Sequence, residues 1–401
     1  MKNYCEICNK KNLPTVIDLG KHPLCDDLIK VGSKKKNRLH KIEIVFCKSC
    51  ITAYQKYQVP KKKLFPKNYH YRSKFTKDVI MGMKEVLSKS KSLCKSLKGK
   101  VVLDVGCNDG SLLDFFKKER ATTVGIEPTN AVDEAKLKGH IIYKSYIDKN
   151  TVSKIKKKFK RIDIITFTNV FAHIEDLRLL IKNLKTLMSE ETFLIIENHY
   201  LGSVIKKKQF DTFYHEHPRT YSLQSFFKIS NLLNANLIHH SFPKRYGGNI
   251  RVIYSKKREN IYSAKKHIAK EKSYFTKLKK MKIYINKWKT KKKELINKLV
   301  IRYGALPAKG FPGRAAILIK ILGLDRKQIK CVYEQDKSIK VGHYVPGTRI
   351  PIIADKKLKK INRNTPILNL AWHINIEIKS YLKRNNIKNK VIDILNLKDF
   401  N

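Results

Sequence analysis

Val101-Val102-Leu103-Asp104-Val105-Gly106-Cys107-Asn108-Asp109-Gly110-Ser111 reads as a buried strand, a tight turn and the start of a helix. A run of valine and leucine suits a strand covered on both faces. Gly106 and Gly110 let the backbone approach a ligand with no Cβ in the way. A glycine loop between strand and helix also cradles phosphate in dinucleotide-binding sheets. Here G-x-G-x-x-G is absent, and Asp104 and Asp109 put acid where a pyrophosphate would lie. That acid suits the sulfonium and amino groups of S-adenosylmethionine. About 20 residues further on, the spacing of a ribose-binding acid, Glu127 ends the next strand and can accept from ribose hydroxyls. Another Rossmann-type nucleotide site is the alternative reading.

Working outward, strand-like runs at 101–105, 123–127, 162–166 and 192–197 alternate with helical ones. That alternation predicts an α/β fold with a doubly wound parallel sheet. Thr168-Asn169-Val170-Phe171-Ala172-His173 follows the third strand, at the end where such sheets bind ligands. After the fourth come Phe210-Asp211-Thr212-Phe213-Tyr214-His215-Glu216-His217, with a phenol, two imidazoles and a carboxyl in the last four. In an extended chain Tyr214 and Glu216 would share one face, His215 and His217 the other. His-x-His lacks the i, i+4 spacing of a helical zinc site. Acid–base chemistry fits better: an imidazole takes a carbon-bound proton beside a ketone while phenol or imidazole donors stabilise the enolate oxygen.

Both ends of the chain carry other signals. Cys5-Glu-Ile-Cys8 and Cys47-Lys-Ser-Cys50 offer four thiolates that close a tetrahedral Zn²⁺ site with no open position, hence a structural one. A redox disulfide pair is the rival. Cys25, Cys94, Cys107 and Cys331 have no partner at ligand spacing and read as small packed residues. A turn is expected at Leu19-Gly20, a β stretch at 41–46 and a helix at 77–97. Tyr274, Leu278, Met281, Ile285, Trp288, Leu295 and Leu299 form one helical stripe packing on the body, with a calmodulin-type or membrane-surface helix as the minor reading. Strand-like runs at 299–303, 329–333, 367–371 and 391–395 predict a second α/β unit.

The 401 residues carry 87 Lys and Arg against 33 Asp and Glu, a net charge of +54. The lysine excess runs through every region instead of forming one block, which reads as compositional drift more than as a nucleic-acid footprint. No specific nucleic-acid partner is expected. No apolar run reaches the roughly 20 residues of a membrane span, and the N-terminus lacks a signal-peptide core. A cytoplasmic protein is expected.

These features, in this order, resemble the sugar C-methyltransferases that act on nucleotide-linked 4-keto-deoxysugars. The glycine loop and Glu127 resemble the first two motifs of class I methyltransferases. The resemblance also rests on the cysteine pairs, Leu19-Gly20 with Pro23-Leu24, Tyr69-His-Tyr71-Arg-Ser73, Asn169-Val-Phe-Ala-His173, Tyr214-His-Glu-His217, Gly247-Gly-Asn249-Ile-Arg251, Tyr303-Gly-Ala305, Pro346-Gly-Thr348 and Ala371-Trp372. It implies a zinc-binding unit at 1–60, a methyltransferase unit at 61–255, and a helical connector with a Rossmann-like substrate-binding unit at 256–401. His217 maps onto the family's base, with Tyr214, Glu216, His173 and a tyrosine taken as Tyr71, in preference to Tyr69, lining the same site. Asp104, Gly106, Asn108, Asp109, Gly110, Glu127 and Asn169 map onto the S-adenosylmethionine contacts. A monomer or weak homodimer is implied. The chain departs from the family pattern at Tyr246-Gly-Gly-Asn249-Ile-Arg251, in the proline-rich loop 304–313, at Val332-Tyr-Glu-Gln-Asp336 and at Ala371-Trp-His373, which puts the particular sugar in doubt. The competing readings are a zinc-containing RNA methyltransferase and an inactive methyltransferase-like binding protein.

Overall fold

The computed structural model describes residues 2–66, 69, 71–259 and 264–400. Near the N-terminus, strands β1 (Thr15–Pro23), β2 (Leu39–Cys47) and β3 (Thr52–Gln55) form an antiparallel sheet beside the cysteine knuckles. Its fourth strand, Arg219–Thr220, comes from the middle of the chain and pairs with Tyr54 and Ala53. Leu19-Gly20 is not a turn. It lies inside β1, where the register with β2 slips between Asp18 and Gly20, a bulge that Gly20 relieves at φ 84°.

The central sheet contains β4 (Val101–Val105), β5 (Thr122–Ile126), β6 (Ile141–Tyr143), β7 (Ile164–Thr168), β8 (Phe193–His199), β9 (Asn236–Ser241) and β10 (Asn249–Ser255). Counted from β4, its strand order is 3-2-1-4-5-7-6. All pairs are parallel except those of β10, which runs antiparallel to both β8 and β9. The order reverses direction between β4 and β7, so their carboxyl ends frame the crevice where such sheets take ligands. Helix α1 (Lys77–Cys94) covers one face of this sheet through Val79, Met83 and Val86.

The last third holds β11 (Leu306–Lys309), β12 (Ile329–Glu334), β13 (Ile352–Ala354), β14 (Ile367–Asn369) and β15 (Val391–Asp393), all parallel, in order 3-2-1-4-5. The expected strand at 299–303 is instead the last turn of helix α2 (Tyr274–Tyr303); Gly304 ends it, and the strand begins at Leu306. The buried stripe of α2 follows the expected positions as far as Trp288, then continues through Lys292 and Ile296, leaving Leu295 36% exposed. Lys292 is tolerated there because its ammonium donates to the Asp393 carbonyl at 2.8 Å and pairs with Asp399 at 3.0 Å.

The three segments interlock. One hydrophobic cluster joins β1 and β2 to Trp288 of α2 and to the C-terminal sheet; another joins Cys5, Cys47 and Cys50 to the central sheet. Ile29–Lys30 also pairs with His343–Tyr344. Among the described residues no helix is long and apolar enough to cross a membrane.

Candidate active site and zinc centre

The sulfur atoms of Cys5, Cys8, Cys47 and Cys50 lie within 4.8 Å of one another, with Cys5, Cys47 and Cys50 buried. Hydrogen bonds from Cys47 and Cys50 hold the Cys5 thiol down at about 2, while Cys47, bonded to that thiolate, is pushed up to about 12. Four thiols this close ionise together only around a cation, which is the fit a structural Zn²⁺ requires. Of the other cysteines, Cys25, Cys107 and Cys331 are buried and Cys94 half-buried, all as free thiols.

Past the end of β4, Gly106 sits at φ 75°, and a Cβ there would lie 2.5 Å from Val170. The loop and the Asn169–His173 motif therefore pack directly on each other. Gly110, at φ 76°, caps the helix Ser111–Lys118. Glu127 accepts from the Asn108 amide at 3.2 Å and the Thr129 amide at 2.9 Å, one bond per oxygen, which leaves acceptor capacity on both. Asp109 braces the loop: it accepts from the backbone and hydroxyl of Ser111 and from the Lys74 amide. Asn108 reaches back to the 71–73 segment, accepting from the Ser73 amide at 3.0 Å and donating to the Tyr71 carbonyl at 3.1 Å. Asp104 is buried on the strand with Thr166 donating to it at 2.7 Å, and burial pushes its carboxyl up to about 7. Asn169 is left-handed, φ 57°, and its side chain accepts from Asn249. An acceptor-rich loop with glycines at both close approaches suits an adenosyl sulfonium ligand.

The segment expected to be extended at 214–217 is a turn, closed by the His217 amide donating to the Tyr214 carbonyl at 2.9 Å. The two-face alternation therefore fails. Tyr214 and His217 meet at a tilt instead, ring centres 4.3 Å apart and planes at 50°, and His215 swings away to the His40 carbonyl of the N-terminal sheet. Around His217 stand His173 at 4.9 Å and His199 at 5.0 Å. His217 Nδ1 faces the Thr212 carbonyl at 3.0 Å. A carbonyl only accepts, so the neutral ring carries its proton on Nδ1 and leaves Nε2 bare. Burial first, and then His173 and His199, hold its pKa well below the usual histidine range. His173 donates from Nδ1 to the Glu216 carbonyl at 2.7 Å, tying the two motifs together. Burial and then the charge of Asp26 push the Glu216 carboxyl well above its usual range.

Of the two tyrosines, Tyr71 is 37% exposed at the rim. Tyr69 is the one whose phenol is pushed far up by burial and by Glu216 and Asp26, and its ring meets Phe65, which in turn packs on His173. Tyr69 thus lies further in than Tyr71, the tyrosine preferred from the sequence.

Several residues of the site carried no readable signal. His199 closes β8 without a motif around it. Glu197, two residues before, is buried and binds Arg245 at 2.6 Å and Arg251 at 2.7 Å, so Arg251 is committed to the sheet. Asp211 is held from the C-terminal unit by Arg314 and Trp372. Open surface cavities of 290 and 460 Å³ lie elsewhere, beside Tyr284 and Phe400 and beside Leu382 and Ile387.

Three families match consecutive parts of the chain: a putative zinc binding domain over residues 5–65, a methyltransferase domain over 82–240 and a C-methyltransferase C-terminal domain over 244–391. C-methyltransferase NovU of Streptomyces niveus is 22% identical over 386 residues, spanning 93% of this chain and 90% of that protein. Similar solved structures include magnesium protoporphyrin IX methyltransferase (ChlM) of Synechocystis PCC 6803 with bound SAH, 16% identical, TM-score 0.35, covering 44% of this chain and 82% of that one. Another is an Aquifex aeolicus SAM dependent methyltransferase, 18% identical, TM-score 0.32, covering 43% and 88%. The assignment rests on the strand order, the cysteine cluster and the three consecutive family matches: the chain belongs to the S-adenosylmethionine-dependent C-methyltransferases with a zinc-binding N-terminal domain.

Proposed function

We propose that the enzyme methylates the carbon beside the ketone of a nucleotide-linked keto-deoxysugar, with His217 as general base. The observation that carries this is the buried His217 ring, anchored at Nδ1 by Thr212 and bare at Nε2. A neutral imidazole so fixed accepts a proton from carbon, and the C–H electron pair passes into an enolate. Tyr214 and Tyr69, both near enough to feel the Glu216 carboxyl, would donate to the enolate oxygen, with His173 packed behind and Tyr71 at the rim. Glu127, Asn108, Asp109, Asn169, Asp104 and the glycines at 106 and 110 would hold the donor. When bound, S-adenosylmethionine supplies a methyl on positively charged sulfur, an electrophile matched to a carbon nucleophile. The Zn²⁺ held by Cys5, Cys8, Cys47 and Cys50 does no chemistry.

The same reading divides the chain near residues 60 and 255, and describes a cytoplasmic monomer or weak homodimer. Support for carbon as the methyl acceptor comes from the C-methyltransferase relative and the C-terminal family match, and support for a sugar from the sequence motifs. The test is methyl transfer from labelled S-adenosylmethionine to a panel of nucleotide-linked keto-sugars. His217→Ala is expected to lower turnover by about 10²–10⁴-fold, the range of a lost general base, with donor binding intact. Wild-type turnover in that variant would remove His217 from the role.

A further inference from the structure

The C-terminal sheet reverses its strand order between β11 and β14, and the crevice beyond their carboxyl ends is where such a sheet would take a ligand. In this protein the crevice holds a carboxylate of the chain itself. Arg314, which follows the loop after β11, grips Asp211 with two bonds, Nε to Oδ2 at 2.8 Å and Nη2 to Oδ1 at 2.7 Å. Trp372, which follows β14, donates its indole N–H to Oδ2 at 2.9 Å, and the guanidinium lies 5.4 Å from its ring centre. Asp211 is fully buried and Arg314 nearly so.

Asp211 belongs to the short turn Phe210–Thr212, whose last carbonyl is the one that fixes Nδ1 of His217. We propose that Asp211, Arg314 and Trp372 are positioning residues, a latch by which the C-terminal sheet sets the tautomer and aim of His217. A paired, bidentate geometry of this kind fixes orientation more than it adds stability. Sub-ångström aim is what a proton transfer needs, and a misplacement of about 1 Å costs on the order of 100-fold in rate. The catalytic segment is thus registered against a sheet from another part of the chain, so separating the two units disarms the base. The latch rests on His217 being that base, but its test does not depend on it.

The experiment is ¹⁵N NMR of selectively labelled histidine in the full-length zinc-loaded protein, on the wild type, Asp211→Asn and Trp372→Phe. Calorimetry of S-adenosylmethionine binding accompanies it. The wild type is expected to show one protonated and one bare nitrogen for His217, assigned with His217→Gln. In Asp211→Asn those two frequencies converge toward their average as the tautomers mix, and Trp372→Phe moves them the same way by less. Donor affinity stays within about twofold, since among the described residues no hydrogen bond of Asp211, Arg314 or Trp372 reaches the cofactor loop. Wild-type His217 frequencies in both variants would overturn the latch. If Asp211→Asn fails to fold, Trp372→Phe, which keeps its ring, decides alone. Turnover surviving in His217→Ala would refute the base assignment and leave this readout standing.

Discussion

Glu127 illustrates what a single carboxylate contributes to the donor site. Its oxygens already order the Asn108 and Thr129 amides, so under the proposed reading ribose hydroxyls would meet an acceptor held in place. Glu127→Ala removes both the acceptor and the brace, and a lost hydrogen bond to a charged group costs about 1.5–3 kcal/mol. S-adenosylmethionine affinity by calorimetry is therefore expected to fall by roughly 10- to 150-fold; unchanged affinity would take Glu127 out of the site. Histidines tell a second story. Burial holds His199 at about 3 and His215 at about 4, and drives His217 well down as well. In the unfolded chain each titrates near its usual value of about 6.5. The unfolded state therefore binds protons first as pH falls, and stability present above about pH 6.5 drains away toward pH 3. The urea midpoint is expected to drop between pH 7.5 and 5; a midpoint flat over that span contradicts neutral buried imidazoles.

At the scale of elements, helix α2 is the part that the C-terminal half leans on. Trp288 is fully buried, donates to the Ile394 carbonyl at 2.9 Å and packs its ring 5.1 Å from Phe210, the neighbour of Asp211. Trp288→Ala is expected to cost about 3–5 kcal/mol, read from denaturant unfolding; a loss below about 1 kcal/mol would mean that the helix docks elsewhere. The sequence showed this helix because its apolar steps repeat through about seven turns. It misplaced the end because Lys292 looks solvent-bound until Asp393 and Asp399, a hundred residues away, are seen to meet it. Strands β4, β5, β7 and β8 were legible within two residues, since runs of buried valine and isoleucine announce themselves, whereas the three-residue, half-buried β6 did not. Strands β9 and β10 were not, because their pairing is antiparallel and depends on Glu197 meeting Arg245 and Arg251. The Tyr214–His217 turn escaped for a similar reason. Alternation is a property of extended chain, and what bends this stretch is held from outside it, by Thr212, Arg314 and the zinc-binding sheet.

Across the whole molecule, the zinc unit and the proposed catalytic segment are one mechanical piece. Glu6 lies between the first two cysteine ligands, is buried, and receives Arg219 Nε at 2.6 Å. Arg219 stands two residues after His217 and donates to the carbonyls of Ile174 and Glu175, directly after His173. The same residue begins the strand that completes the zinc-side sheet through Tyr54. The metal therefore sets where Glu6 sits, Glu6 sets Arg219, and Arg219 gathers both histidine-bearing loops. Breaking a buried pair of this sort costs about 3–5 kcal/mol because a charge is left stranded. Chelating the zinc from the folded enzyme is expected to raise amide exchange at residues 173–177 and 217–221. Exchange in the cofactor loop 104–110, which is braced from residues 71–74, should hardly move, and donor binding should survive. Arg219→Lys should reproduce the pattern with zinc still bound, since lysine cannot span Glu6 and two carbonyls at once. If chelation freed the cysteine knuckles alone and left exchange around both histidines unchanged, the zinc would be stabilising only its own fold, and the catalytic loops would have to be held by the C-terminal latch.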